Sequence, residues 1–310
     1  MLYFIVNEKS KSGNAKQIWK EIEEVLKVRN VSYQAFVSEY RGHAGKLAAE
    51  ICAMDDNDIC LVAVGGDGTA NEVINGITDF EKVRFGVIQT GSGNDLARGL
   101  SLSKDPKNGA IHILNAMKKS REDTWCMDLG EVNFGEKKRL FAISAGIGLD
   151  ALVCKKALKS TIKDILNKIR LGKLTYLVLT VQSLFTMQTA DAEIFFDREE
   201  GLQKKRMIFT AAMNFKAEGG GVPMAPAASA CDGKLSFCEA AGIPKWRTFL
   251  CLPFLVAAKH TSIHGFSVTD AKDCTIRLSR PMVVHADGEY CGEVTEVHFH
   301  CLPGKLRVLK

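Results

Sequence analysis

Apolar residues in the first 125 positions follow two alternating patterns. Short, nearly unbroken runs at 2–7, 33–38, 59–64 and 85–90 read as buried strands. Between them apolar residues recur at helical spacing. Ile18, Ile22, Val25 and Leu26 share one face, a second helix is predicted over 43–54, and Val73, Ile74 and Ile77 lie along a third. Buried strands separated by amphipathic helices predict βαβ units, a parallel sheet and a Rossmann-like three-layer α/β domain. Such sheets bind ligands beyond the carboxyl ends of their strands. Two of these strands run straight into Gly-rich turns.

The pattern changes near Trp125. Strand-like runs dominate from there, at 127–132, 139–144, 192–197, 206–213, 234–240, 273–278, 282–285, 296–301 and 305–309. Helical stretches interrupt them at 149–187 and 244–260. Short strands with turn residues between them predict a mainly antiparallel sandwich or barrel. The expected domains are 1–125 and 126–310.

The 310 residues suffice for two domains with separate cores. No biased tract suggests a fibrous or broadly disordered chain. The net charge of +5 is local. Residues 1–125 carry 16 basic and 17 acidic side chains, while 151–175 alone carries seven basic against one acidic. That argues against a nucleic-acid-binding surface and leaves a local contact with something anionic. The ten cysteines show neither zinc nor disulfide spacing and read as small core residues in a reducing cytoplasm. The N-terminal apolar run is too short for a signal peptide. The most apolar later stretch, 174–187, is too short to span a bilayer. A cytoplasmic protein with at most peripheral membrane contact is expected.

Candidate chemistry gathers at three places. Gly65-Gly66-Asp67-Gly68-Thr69 ends a strand and opens a helix, where backbone N–H groups suit phosphate. Asp67 would oppose a bare anion but suits Mg²⁺, which prefers carboxylate, water and phosphate oxygens. The plain alternative is a tight turn with Asp67 as helix cap. Gly91-Ser92-Gly93-Asn94-Asp95 repeats the arrangement one strand later. Asp287 and Glu289, in His285-Ala286-Asp287-Gly288-Glu289, share a side if the strand continues, and could accept a proton from an attacking hydroxyl. The plain alternative is a hairpin turn at Asp287-Gly288. There is no Walker A loop. Gly146-Ile147-Gly148-Leu149-Asp150-Ala151 lies outside any βαβ unit and reads as a strand-to-helix turn. His298, His300 and Cys301 read as ordinary strand residues.

Taken together these segments resemble the diacylglycerol kinase catalytic-domain superfamily, and most of all its bacterial lipid kinases. The resemblance is carried by GGDGTANEVING (65–76) and GSGNDLARGL (91–100). Asp128 in MDLGEV, ISAGIGLDALV (143–153), GGGVPMAPAA (219–228), DGKL (232–235) and ADGEY (286–290) follow in family order. It implies ATP-dependent phosphoryl transfer to a lipid hydroxyl, with ATP in a cleft between an α/β domain and a β-sandwich. Asp287 matches the catalytic base and Glu289 its assistant. Asn7, Ser12, Gly13, Gly65, Gly66, Asp67, Gly68, Thr69, Asn71, Gly91, Ser92, Gly93 and Asn94 match nucleotide-contacting positions. Asp67, Asp95 and Asp128 match an acidic network that organises Mg²⁺ through water. Asp232 matches a structural Mg²⁺ ligand, with the Ser229 and Lys234 carbonyls beside it.

Two departures from the family pattern stand out. The loop after the first strand is two residues longer and lacks proline, with Lys9, Lys11 and Lys16 near the expected phosphates. The segment that returns to the first domain in many relatives is expected to be short or absent. The resemblance further implies a lipid substrate and a peripheral contact with anionic membrane through 151–175; a homodimer stays open. Asp287→Asn is expected to keep the fold and lose turnover. A soluble-metabolite kinase such as an NAD kinase, or an inactive nucleotide- or lipid-binding regulator, are the alternative functions.

Overall fold

The computed structural model describes residues 1–10, 15–91, 93–159, 172–197 and 200–310. The chain divides into two units. One comprises Met1–Asp128 with Gly304–Lys310, the other Leu129–Pro303.

The first unit is the expected α/β domain. Its strands are β1 (Leu2–Val6), β2 (Tyr33–Val37), β3 (Ile59–Gly65) and β4 (Val83–Gln89). All pair in parallel, in the order β4-β3-β1-β2. The helices are α1 (Ala15–Val28), α2 (His43–Cys52), α3 (Asp67–Gly76), α4 (Asp95–Gly99) and α5 (Pro106–Ala116). The predicted face of α1 is turned inward: Trp19, Ile22 and Leu26 are buried, and Ile18 and Val25 pack against the same core. Trp19 lies 5.1 Å from the Phe4 ring of β1.

The second unit begins within β5 (Trp125–Phe134). It continues through β6 (Lys137–Phe141), β7 (Ser144–Gly148), α6 (Leu149–Lys159), α7 (Gly172–Thr186), β8 (Ala190–Phe196), β9 (Leu202–Met207), β10 (Phe209–Met213), β11 (Leu235–Ala240), α8 (Lys245–Val256), β12 (Phe266–Ala271), β13 (Asp273–Ala286) and most of β14 (Glu289–Val308). Its pairings are antiparallel and form a β-sandwich around one large core. β13 changes partner along its length. Residues 274–278 pair with β8, residues 284–286 pair with β7, and the register shifts between Arg277 and Met282. The separate runs expected at 273–278 and 282–285 are therefore one interrupted strand. The run expected at 206–213 is two strands: β9 ends at Met207 and β10 begins at Phe209, with Ile208 between them.

The returning segment is short but present. Arg307 and Val308 pair in parallel with Arg84 and Phe85 of β4. Leu309 is 1% exposed and joins the first unit's core. Burying a leucine contributes about 1.5–3 kcal/mol, which anchors a seven-residue return.

Candidate functional site

In the first unit the chain passes from β1 to β2 on one side, then crosses to β3 on the other. This makes a topological switch point between β1 and β3. Asn7, just beyond β1, donates from Nδ2 to Thr69 Oγ1 at 3.0 Å, tying the two sides of that point together. Thr69 sits in the first turn of α3, whose leading N–H groups have no intrahelical acceptor. The two Gly-rich turns meet by backbone. A Cβ on Gly91 would lie 2.8 Å from Gly66 Cα and 2.9 Å from Asn94 Oδ1. These glycines permit close approach, and neither has a positive φ. In the second turn the left-handed residue is Asn94 (φ 53°), the residue before α4.

Asp67 caps that helix. Its Oδ2 accepts the Asp95 N–H at 3.0 Å and its Oδ1 the Leu96 N–H at 3.1 Å. The capping alternative for Asp67 thus describes its contacts, although the helix capped is α4, one strand further on. Asp95 pairs with Arg98. Both carboxylates lie around Gly93: a Cβ there would be 3.0 Å from Asp67 Oδ2 and 3.8 Å from Asp95 Oδ2. Two carboxylates beside one turn fit a Mg²⁺ that keeps most of its water. Asp128 is buried and accepts the Gly304 N–H at 2.7 Å, and it forms no three-ligand group with Asp67 and Asp95 among the described residues.

Other expected contacts are redirected. Asn71 is 1% exposed and accepts Asn75 Nδ2 through its backbone and side-chain oxygens, so it braces α3 from within. Lys9 Nζ donates to the Glu39 carbonyl at 2.6 Å. Lys16 is exposed on α1. Ser12, Gly13, Lys11 and Ser92 lie outside the described residues, as does 160–171 of the basic stretch 151–175.

In the second unit Asp287 and Gly288 form a two-residue hairpin loop between β13 and β14, with φ of 47° and 81°. Positive φ at both positions is the geometry of a tight hairpin turn. The chain reverses there, so strand alternation does not place Asp287 and Glu289 on one side. Glu289 instead pairs with Ala286 as the first residue of β14. The Asp287 carboxylate lies along the segment that joins β6 to β7. Oδ2 accepts Ala142 N–H at 2.8 Å, and Oδ1 accepts Ile143 N–H at 2.8 Å and Ser144 N–H at 3.1 Å. The Asp287 N–H donates back to Ser144 O at 2.8 Å.

Beneath this turn lies a group that sequence reasoning missed. Asp150, Glu218 and His285 place ligand-type atoms within 4.8 Å of one another. His285 Nε2 meets Asp150 Oδ2 at 3.1 Å, and its Nδ1 accepts the Gly288 N–H at 3.2 Å. Glu218 accepts the Ser144 hydroxyl. Both ring nitrogens are therefore engaged, and the group buttresses the hairpin from below. Burial opposes the imidazolium. The Asp150 hydrogen bond and the charges of Asp150, Glu218 and Asp287 outweigh it, so His285 titrates above the ordinary imidazole range. No local signal could have found the group, because its members are separated by 67 to 135 positions in the chain.

The second expected metal position is a local turn. Asp232 is exposed and its Oδ1 accepts the Lys234 N–H at 3.1 Å, while the Ser229 hydroxyl meets Cys231 Sγ at 3.6 Å. All ten cysteines are free thiols. His298 and His300 share the carboxylate of Asp273.

Comparison with known proteins matches residues 1–127 to the diacylglycerol kinase catalytic domain. Residues 144–310 match the YegS C-terminal NAD kinase beta sandwich-like domain. A Bacillus subtilis protein named "Putative lipid kinase YtlR" is 29% identical over 99% of this chain and 98% of its own length. A Bacillus subtilis diacylglycerol kinase is 27% identical over 79% of this chain and 75% of its own. A crystal structure of a Bacillus anthracis diacylglycerol kinase shares the fold, with a TM-score of 0.72 at 18% identity over 99% of this chain and 96% of that one. An Archaeoglobus fulgidus NAD kinase is a more distant match in fold, with a TM-score of 0.54 at 13% identity over 100% of this chain and 94% of that one.

Proposed function

The chain belongs to the family that pairs a diacylglycerol kinase catalytic domain with a YegS-type β-sandwich domain, and we propose on that premise that it transfers the γ-phosphoryl group of ATP to a lipid hydroxyl. The observation that carries the reading is the meeting of the two signature turns at Gly66 and Gly91, beside the switch point of a parallel sheet. Backbone N–H groups of the first α3 turn suit the phosphates of a nucleotide there.

In this reading Asp287 accepts the proton of the attacking hydroxyl, with Glu289 assisting. Three backbone N–H bonds hold the Asp287 carboxylate at a set position, as a base that must meet an incoming hydroxyl requires. Asp67 and Asp95 would hold Mg²⁺ through water, and the ion would offset phosphate charge. The Asn7–Thr69 bond keeps the loop after β1 beside the phosphate-facing turn. Diacylglycerol leads as acceptor because the relatives carry that name.

The test is a kinase assay with labelled ATP on a mixed lipid extract, with NAD as a parallel acceptor and products identified by mass. A phosphorylated lipid supports the reading. Phosphorylated NAD with no lipid product would replace it with a soluble-metabolite kinase.

A further inference from the structure

The segment Gly146-Ile147-Gly148-Leu149-Asp150-Ala151 does more than turn the chain. Gly146 of β7 lies opposite His285 of β13 in the antiparallel register. A Cβ on Gly146 would strike the Asp150 carboxylate and stand 3.0 Å from His285 Nε2. The missing side chain leaves the space in which those two groups meet at 3.1 Å. Two residues on, Gly148 takes a φ of 111°, and the chain passes directly from β7 into α6 with Asp150 in its first turn. The same helix reaches the other arm of the hairpin. Lys155 pairs with Glu293 of β14 and stands 4.9 Å from the centre of the Tyr290 ring. Helix α6 therefore holds both strands that flank Asp287.

His285 completes the link to that residue. Its Nδ1 accepts the Gly288 N–H at 3.2 Å, which places the ring proton on Nε2, facing Asp150 Oδ2. A carboxylate that accepts from one ring nitrogen fixes the tautomer, and so keeps the lone pair of the other in place. Gly288 follows Asp287 in a loop of only two residues, so a hold on its N–H is a hold on the turn. The backbone N–H groups of Ala142, Ile143 and Ser144 fix the far end of the Asp287 side chain. Asp150 from α6, Glu218 from the β10–β11 loop and Asp287 from the hairpin face the ring and favour its charged form. A charged ring carries a proton on Nδ1 and cannot accept from Gly288.

We propose that Asp150 and His285 are positioning residues for phosphoryl transfer: Asp150 fixes the tautomer of the neutral ring, and His285, through Gly288, sets the turn from which Asp287 meets the acceptor hydroxyl. The proposal rests on the lipid kinase reading above, with Asp287 as its base. Both residues act through Asp287.

The test measures turnover of labelled ATP with detergent-dispersed diacylglycerol, using the full chain. In His285→Asn the side-chain oxygen can stand near the place of Nδ1. In His285→Gln the amide reaches toward Nε2 and leaves Gly288 without its acceptor. Asp150→Asn can set an amide N–H against Nε2 and so move the ring proton to Nδ1. His285→Gln and Asp150→Asn should each lower kcat about tenfold or more, with KM for ATP near native. His285→Asn should keep most of the native kcat. The native kcat should fall in acid at a higher pH than that of His285→Asn, which has no ring to charge. Hydrogen exchange of residues 286–292, read by mass spectrometry, reports the hold without turnover. It should be faster in His285→Gln than in the native chain or in His285→Asn.

Native kcat in folded His285→Gln would overturn the proposal. So would equal losses in His285→Gln and His285→Asn, which would mark a need for the bulk of the ring alone, or acid limbs that coincide. Circular dichroism shows which variants are folded. If His285→Gln does not fold, Asp150→Asn set against His285→Asn carries the same comparison. A native chain that phosphorylates no lipid would remove the kinase reading, and the exchange pattern would still show whether His285 holds the hairpin. Equal exchange in all three chains would overturn that hold.

Discussion

Asp287 Oδ1 accepts the backbone N–H of Ile143 at 2.8 Å, so the proposed base also anchors the segment between β6 and β7. An asparagine there would turn an amide N–H₂ toward backbone donors and lose at least one of three bonds. The expectation that Asp287→Asn leaves the fold untouched therefore changes. Turnover should fall about 10²-fold or more, and stability should fall by about 1–3 kcal/mol. Kinetics and chemical denaturation on one preparation check both parts. Near-native turnover would remove Asp287 from the role of base.

Asp67 spends each carboxylate oxygen on an amide of α4. Asp67→Asn keeps one such acceptor and sets a donor against the other amide. The loss of capping should cost about 1 kcal/mol, and the Mg²⁺ concentration needed for half-maximal activity should rise. A magnesium titration of the variant checks this, and an unchanged midpoint would separate Asp67 from the metal.

Gly91→Ala should push the two signature turns apart, because its Cβ would meet Gly66 Cα at 2.8 Å. Gly66 Cα is backbone, so relief requires the backbone to move. The expected result is a raised KM for ATP with a smaller change in kcat. Binding of a non-hydrolysable ATP analogue by calorimetry should weaken in parallel.

His285 should make stability depend on pH. Its pKa in the folded protein lies above the unfolded value of about 6.5. The contribution of the charged ring is then present in full below that pH and is lost as pH rises through the folded pKa. Glutamine cannot take up the proton. The destabilisation by His285→Gln should be largest in mild acid and shrink toward alkaline pH, as urea unfolding across that range would show. A penalty that grows with pH would contradict the environment described for the ring.

Much of the fold was legible because local pattern and burial agree. The 2–7, 59–64 and 85–90 runs are strands buried along almost their whole length, 33–38 is a half-exposed edge strand rather than a buried one, and α1 buries its predicted stripe. Strand ends in the second unit were less legible. The break in β13 between Arg277 and Met282, and the division of 206–213 at Ile208, follow from which partner each half finds. Asn71 shows the same limit within a motif. Its place in GGDGTANEVING matches a ligand contact, and the structure shows it buried in α3, where it accepts the amide of exposed Asn75 one turn further on.

The sequence by itself determined the parallel α/β half, the strand-rich second half, the two Gly-rich turns and the Asp287-Gly288 turn. Those depend on periodicity and on residues whose backbone preferences are local. Tertiary structure alone decided that Gly66 touches Gly91, that Asp67 caps α4, that Asp287 holds 142–144, and that Asp150 and Glu218 stand beside His285. It also decided that Trp246, Phe249, Leu250 and Phe254 of α8 are exposed while Cys251 and Leu255 are buried. Each of these joins groups far apart in the chain, and a hydrogen bond or a buried charge has no energy until folding brings its partner within reach.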